Sequence, residues 1–330
     1  MDEAPRAVTV TADELEWARR IVGRHVPPTP QYEWPLLTEA VGSRVTVKHE
    51  NHTPVGAFKV RGGLVYLERL VADRPEVRGV VSATRGNHGQ SLAFAGGLHD
   101  RSVTIFVPTG NSVEKNAAMR ALGAHLIESG ADFQAARDAS LEYAQQHGLE
   151  AVPPFHPDIV LGVATYAHEL FVGTDRIDTV YVPVGMGSGI NALIAVRDLL
   201  GLDTEVVGVV AEGAPATKLS FEAGEVVPTA TAATFVDGVA SRSPDPSAIA
   251  GVLRGAARII AVPDEAVADA MRIIFRTTHN VAESAGAIGL AGLLSESPER
   301  RGPHSAFVLC GGNVDTDQFR HGLDGRTPSV

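Results

Sequence analysis

The stretch Gly56-Ala57-Phe58-Lys59-Val60-Arg61-Gly62-Gly63 sets a lysine behind a large aromatic, between glycines, where a helix is about to begin. A solvated lysine has no need of that setting. A lysine whose amine acts as a nucleophile does, because it must be held partly desolvated beside an electrophile. A second loop, Val184-Gly185-Met186-Gly187-Ser188-Gly189-Ile190-Asn191, places alternate glycines between an apolar strand and a helix start. Glycines let the backbone approach an anion, and the helix N-terminus adds unpaired N–H groups and a positive potential, worth about 0.3–1 kcal/mol and up to about 2 when partly buried. A dinucleotide fingerprint would need glycine where Ile190 stands, and a P-loop would need Gly-Lys-Ser/Thr, so a small phosphate is the better match.

A third loop, Ser82-Ala83-Thr84-Arg85-Gly86-Asn87-His88-Gly89-Gln90, crowds polar side chains and glycines between a strand and a helix start. Thr84 and the neighbouring N–H groups suit a carboxylate, and Asn87 suits either an oxyanion or the plainer role of a helix cap. Val308-Leu309-Cys310-Gly311-Gly312-Asn313 ends an apolar run with the only cysteine of the chain. A lone cysteine there is more often a small buried hydrophobe, but two glycines behind it indicate that something approaches the backbone. Phe235-Val236-Asp237-Gly238-Val239 is a weaker loop of the same kind. Metal chemistry has no support: His49-Glu50-Asn51-His52 lacks the spacing that puts two imidazoles on one helical face. A Ser-His-Asp hydrolase has none either, since Ser188 is out of register in the only Gly-x-Ser-like loop.

These loops need elements to hold them. Thr11-Ala-Asp-Glu14 is a capping-box pattern, followed by Leu15, Ala18, Ile21 and Val22 at helical spacing. Strand patterns fall at residues 44–50, 79–83, 103–107, 124–127, 179–184, 205–210, 258–262 and 306–309, with helical patterns at 112–122, 131–147, 190–200, 264–278 and 284–295. Alternating strands and helices, with strands too apolar to have a wet face, predict an α/β fold with parallel sheet and ligands at the carboxyl ends of the strands. The 330 residues, 44% hydrophobic, allow two subdomains, and residues 322–330 read as a polar tail. A net charge of −11 argues against nucleic-acid and anionic-membrane partners. No apolar run reaches transmembrane length, and MDEAPRAVTV has no secretory pattern. With a single cysteine, the expectation is a cytoplasmic protein.

Taken in order, Gly-Ala-Phe-Lys-x-Arg-Gly-Gly, Gly-Asn-His-Gly-Gln, Gly-x-Gly-Ser-Gly and Cys-Gly-Gly-Asn resemble the fold-type II pyridoxal-phosphate enzymes, and within them the threonine/serine dehydratase and serine racemase branch. The resemblance runs from Thr29-Pro30 to Asp315. It implies two open parallel-sheet subdomains with the cofactor, pyridoxal 5'-phosphate, between them: residues 1–73 with 156–330 as the large one and 78–155 as the small one. It further implies that Lys59 carries the cofactor as a Schiff base, that Phe58 and Gly238 flank the two ring faces, and that Gly185, Met186, Gly187, Ser188 and Gly189 hold the phosphate. Asn87 would meet the phenolic oxygen and Cys310 the ring nitrogen, with Glu283 close by. Thr84, Arg85, Gly86 and His88 would bind the substrate, a small amino acid.

The implied reaction is loss of water from a β-hydroxy-α-amino acid of the L-threonine or L-serine type, giving a 2-oxo acid and ammonia. Lys59 would remove the α-proton. Three departures qualify the likeness. Ala57 replaces the usual serine before Phe-Lys. Arg85 stands where racemases carry a serine and simple dehydratases an alanine. Lys218, in Glu212-Gly-Ala-Pro-Ala-Thr-Lys218, falls where relatives bind a cation through aspartate, so no metal is expected and an ammonium is the substitute. Arg85 and Ala57 leave open a bulkier or charged substrate of the 3-hydroxyaspartate or phenylserine type, and a racemase is the less favoured alternative. A homodimer is expected. Fifteen residues after Asp315 leave no room for the regulatory domain that biosynthetic relatives append, so no feedback inhibition by isoleucine is expected.

Overall fold

In the computed structural model, residues 5–131 and 133–329 are described; residues 1–4, Asp132 and Val330, which fall within the sequence-derived domains, a predicted helix and the polar tail, lie outside the described residues. Ten strands form two sheets among the described residues. The larger sheet contains β1 (Gln31–Glu33), β2 (Arg44–His49), β7 (Thr179–Pro183), β8 (Glu205–Ala211), β9 (Arg258–Val262) and β10 (His304–Leu309), in the order β1-β2-β10-β7-β8-β9. Only β1 runs antiparallel to its neighbour, with Tyr32 opposite Val47. The smaller sheet is all parallel, β5-β4-β3-β6, from β3 (Gly79–Ala83), β4 (Ser102–Val107), β5 (His125–Glu128) and β6 (Glu150–Ala151).

The central strands are buried along nearly their whole length, as expected when helices cover both faces of a parallel sheet. The sequence expectations hold for the central strands and shift at the edges. β1 and β6 were not anticipated, because Gln-Tyr-Glu and Glu-Ala carry no apolar alternation. β10 begins at His304 rather than 306. Its polar start is satisfied, since the His304 ring is hydrogen-bonded to Thr46 Oγ1 (2.9 Å) and the Arg176 carbonyl (2.9 Å). The capping box at Thr11 and Glu14 is present and starts the helix Ala12–Gly23. The expected tail at 322–330 is partly helical, because the helix Thr316–Leu323 runs into it. No helix among the described residues is long and apolar enough to cross a membrane.

One helix joins the two sheets. Lys59–Asp73 lies against Asn87–Leu98 of the smaller unit and Pro157–Gly173 of the larger. A side chain at Gly62 would put its Cβ 2.8 Å from Ile159 Cγ2, so the glycine pair of the first motif sets this close packing. Below the same helix lies a buried ion network. Arg61 donates to Glu50 (2.8 and 2.9 Å), to Glu169 (2.7 and 3.0 Å) and to Thr165 (3.0 Å), while Lys48 donates to Glu169 (2.6 Å) and the Thr29 carbonyl (3.0 Å).

Candidate active site

The carboxyl ends of β3, β7 and β10 and the start of the Lys59 helix enclose a cleft of about 660 Å³. Lys59 stands on its wall, and the chain has only four lysines with which to compare it. Lys48 pairs with Glu169, Lys115 with Asp237 and Lys218 with Glu222. Among the described residues, Lys59 has no carboxylate partner of this kind. Its Nζ donates to Ser188 Oγ at 3.2 Å and lies 4.8 Å from the centre of the Phe58 ring. Desolvation lowers its pKa to about 8, against weaker opposing pulls from Cys310 and Glu283. About a tenth of this amine is therefore uncharged at pH 7, against a trace for an ordinary lysine, and an uncharged amine is the condition for nucleophilic or basic use.

Across the cleft, Gly187 takes a left-handed conformation (φ +92°) to turn β7 into the helix Ser188–Leu200. Among the described residues, no backbone acceptor is found for the N–H groups of residues 185–189, so they are left to face the cleft. Asn191 fixes the loop from behind, donating to the Gly187 carbonyl (2.9 Å) and the Ala248 carbonyl (3.1 Å). Successive unpaired N–H groups at a helix N-terminus form an anion cradle.

The loop at 84–88 leads from β3 into the helix Asn87–Leu98. Thr84 Oγ1 accepts from Gly86 N (3.1 Å), which leaves the hydroxyl proton free. Asn87 joins a chain across both units: Asn313 Nδ2 donates to its Oδ1 (2.8 Å), and its own Nδ2 donates to Glu283 Oε1 (2.7 Å). Burial raises the Glu283 pKa, with Lys115 and Asn87 opposing. His88 is buried in the cleft wall, and burial together with nearby Lys59 lowers its pKa to about 3, so its imidazole is neutral.

Cys310 directly follows β10 and lines the cleft, and its carbonyl accepts from Phe58 N (2.9 Å). Burial pushes its thiol pKa well above the usual value, so it stays protonated. Phe58 is held edge-on by Tyr166, with ring centres 6.0 Å apart. A Cβ at Gly238 would lie 2.6 Å from Ala285 Cβ, and one at Gly185 would strike the Gly238 carbonyl. Neither glycine can be replaced without movement. Arg85 is exposed at the mouth, with its guanidinium 3.9 Å from Asp237, and Lys115 holds the same carboxylate at 3.3 Å.

The cleft thus brings together Phe58, Lys59, Thr84, Arg85, Gly86, Asn87, His88, Gly185, Met186, Gly187, Ser188, Gly189, Gly238, Glu283 and Cys310. Sequence reasoning missed three participants. Lys115 and Arg137 lie on helical stretches with no local motif. Asn313, the hinge of the polar chain, was visible as the last residue of the Cys-Gly-Gly-Asn loop but was given no role. Lys218 does not supply an ammonium at Glu212, because its Nζ turns along its own helix to Glu222.

A model of the pyridoxal-phosphate dependent enzymes matches residues 22–311. The chain is 30% identical to L-threonine ammonia-lyase of Thermotoga maritima, over 94% of its own length and 77% of that enzyme's. It is 28% identical to L-threo-3-hydroxyaspartate ammonia-lyase of Saccharomyces cerevisiae, over 97% and 98%. The structure of threonine deaminase isoform 2 from Solanum lycopersicum superposes with a TM-score of 0.88 at 26% identity, over 98% of this chain and 91% of that one. The residues present fit pyridoxal phosphate: a desolvated amine without a carboxylate partner, a row of unpaired N–H groups for a phosphate, and a glycine-floored cleft between them. With the family match spanning most of its length, this chain belongs to the pyridoxal-phosphate dependent enzymes of fold type II.

Proposed function

We propose that this chain is a dehydratase, or ammonia-lyase, that removes water from a β-hydroxy-α-amino acid of the L-threonine or L-serine type and leaves a 2-oxo acid and ammonia. The Lys59 amine carries the reading: desolvated, unpaired with any carboxylate, and set across a cleft from the N–H groups of 185–189. The Thermotoga and Saccharomyces relatives, both named as ammonia-lyases, support it.

When bound, pyridoxal phosphate supplies an electron-withdrawing ring that acidifies the α-proton of the attached amino acid. Lys59 would hold the cofactor through its Nζ, and the same amine is the group placed to take that proton as general base. The N–H groups of Gly185, Met186, Gly187, Ser188 and Gly189 would hold the phosphate. Phe58 and Gly238 would border the ring, and Asn87, Glu283 and Cys310 are the polar side chains of the cleft that would meet it. Cys310, whose thiol stays protonated, would bring no negative charge to the part of the ring it meets. The free hydroxyl proton of Thr84 and the N–H groups near Gly86 bind the α-carboxylate.

A second reading, a substrate with a charged β-substituent, is favoured by the exposed cations Arg85 and Arg137 on the cleft wall. The relative that acts on 3-hydroxyaspartate adds to it. We also keep the division into residues 1–73 with 156–330 and residues 78–155, which the membership of the two sheets supports. A cytoplasmic homodimer completes the proposal. The single cysteine is in keeping with that compartment, and exposed Tyr32 and Leu36, on and just after β1, are suited to meeting a second copy.

The test is a panel of serine, threonine, 3-hydroxyaspartate and phenylserine, assayed for ammonia and 2-oxo acid in equal amounts. Release from at least one is expected. Racemisation without ammonia, or no turnover of any member, would contradict the proposal.

A further inference from the structure

Asn191 stands one turn behind the glycine loop and shapes it from outside the cleft. It is 1% exposed, and three hydrogen bonds start from it. Its backbone N–H donates to the Gly187 carbonyl (3.1 Å), and its side-chain Nδ2 donates to the same carbonyl (2.9 Å) and to the Ala248 carbonyl (3.1 Å). Only the amide nitrogen can meet two carbonyls, which fixes the orientation of the side chain: turned over, Oδ1 would set lone pairs against lone pairs. The cost falls on the other side of the amide, where Oδ1 is buried with no hydrogen-bond partner.

That oxygen lies against Gly251, inside the helix Pro246–Gly255, and a Cβ at Gly251 would fall on Oδ1 itself. Glycine is a poor residue for a helix interior, and the approach of the amide explains its place here. The rigid peptide unit passes this hold on to the loop. The Gly187–Ser188 bond is trans, so a carbonyl held on Asn191 turns the Ser188 N–H the opposite way, towards the cleft. Without that hold, Gly185, Gly187 and Gly189 would leave the loop free to reorient, and an arriving anion would have to order it. We propose that Asn191, seated on Gly251, is the positioning residue for the cofactor's phosphate, fixing the Gly187–Ser188 peptide so that its N–H is aimed before the phosphate arrives. This inference rests on the reading of residues 185–189 as the phosphate loop.

The Ala248 carbonyl belongs to a helix whose cap, Asp245, and first residue, Pro246, line the cleft. Asn191 thus ties the glycine loop to a second wall of the same cleft. Lys59 and Phe58 stand on a different helix start, so loosening the loop leaves them in place. The effect of removing Asn191 is confined to ligands that carry a phosphate.

The experiment titrates the cofactor-free full chain with pyridoxal phosphate and with pyridoxal, which lacks the phosphate, following the visible band of each. In Asn191→Ala the dissociation constant for pyridoxal phosphate should rise about tenfold, the size of one lost hydrogen bond, while that for pyridoxal stays within about twofold. Gly251→Ala keeps the amide but pushes it off the carbonyls. It should reproduce the same selective loss although alanine favours the helix, and it should add nothing in the Asn191→Ala background. If Asn191→Ala does not fold, Gly251→Ala carries the test alone. Equal weakening of both ligands, unchanged affinities, or failure of both variants to fold would overturn the proposal while leaving the phosphate loop intact. If the wild type bound pyridoxal as tightly as pyridoxal phosphate, the phosphate reading of residues 185–189 would fall and this inference with it.

Discussion

Lys59 and Arg61 lie near the start of one helix, yet the protein treats their charges in opposite ways. Arg61 is fully buried and makes bidentate contacts with both Glu50 and Glu169. Burial opposes its charge, but the two carboxylates outweigh burial and raise its pKa. Lys59 turns to the cleft, meets one hydroxyl, and has its pKa lowered by desolvation. One cation is pinned by partners on every side, and the other is deprived of them. The difference separates a charge that fixes the fold from an amine kept available for chemistry.

The contrast can be broken by substituting each residue in turn. Arg61→Leu leaves Glu50 and Glu169 buried without their main partner, so unfolding stability should drop by about 3–5 kcal/mol in urea titrations at neutral pH. Lys59→Met strips no carboxylate of a partner and removes a desolvated amine. Its stability should be unchanged or slightly higher. Equal losses in the two variants would mean that Lys59 is as much a structural cation as Arg61.

A smaller effect belongs to the cleft mouth, where Arg85 has Asp237 only at 3.9 Å. Its guanidinium is half-way between the two extremes, partly paired and still open to a ligand. On the charged-substrate reading, Arg85→Ala should lower kcat/KM for 3-hydroxyaspartate by roughly ten- to a hundredfold, the loss of one charge-assisted bond, and serine much less. Unchanged efficiency on every substrate would make Arg85 an ordinary surface residue.

The Lys59–Arg61 pair also shows what was legible before the fold was known. Glycines around Lys59 and at 185–189 announced a close backbone approach, because few other roles require that spacing, and the buried central strands announced themselves by apolar runs. The charge network beneath was not readable: Glu169 is 108 residues from Arg61, and only the packing of the helix Pro157–Gly173 brings the two together. Lys115 was missed for the same reason, since it reaches the cleft from a helix whose local pattern is unremarkable. His88 was seen as part of a motif, but its depth of burial in the cleft wall depends on packing that the loop's own pattern does not specify.

The most direct measurement uses the four lysines as internal controls. Cofactor-free protein is given pyridoxal phosphate across a pH series, the reducible linkage is trapped with borohydride, and the labelled peptide is mapped. The amine attacks only when it has lost its proton, so the initial rate of capture should rise with pH and level off above about 8, the pKa of Lys59. The label should sit on Lys59, and Lys59→Ala should lose both the label and the visible band. Label on Lys48, Lys115 or Lys218, or a capture rate still climbing towards the ordinary lysine pKa of about 10.4, would contradict the account.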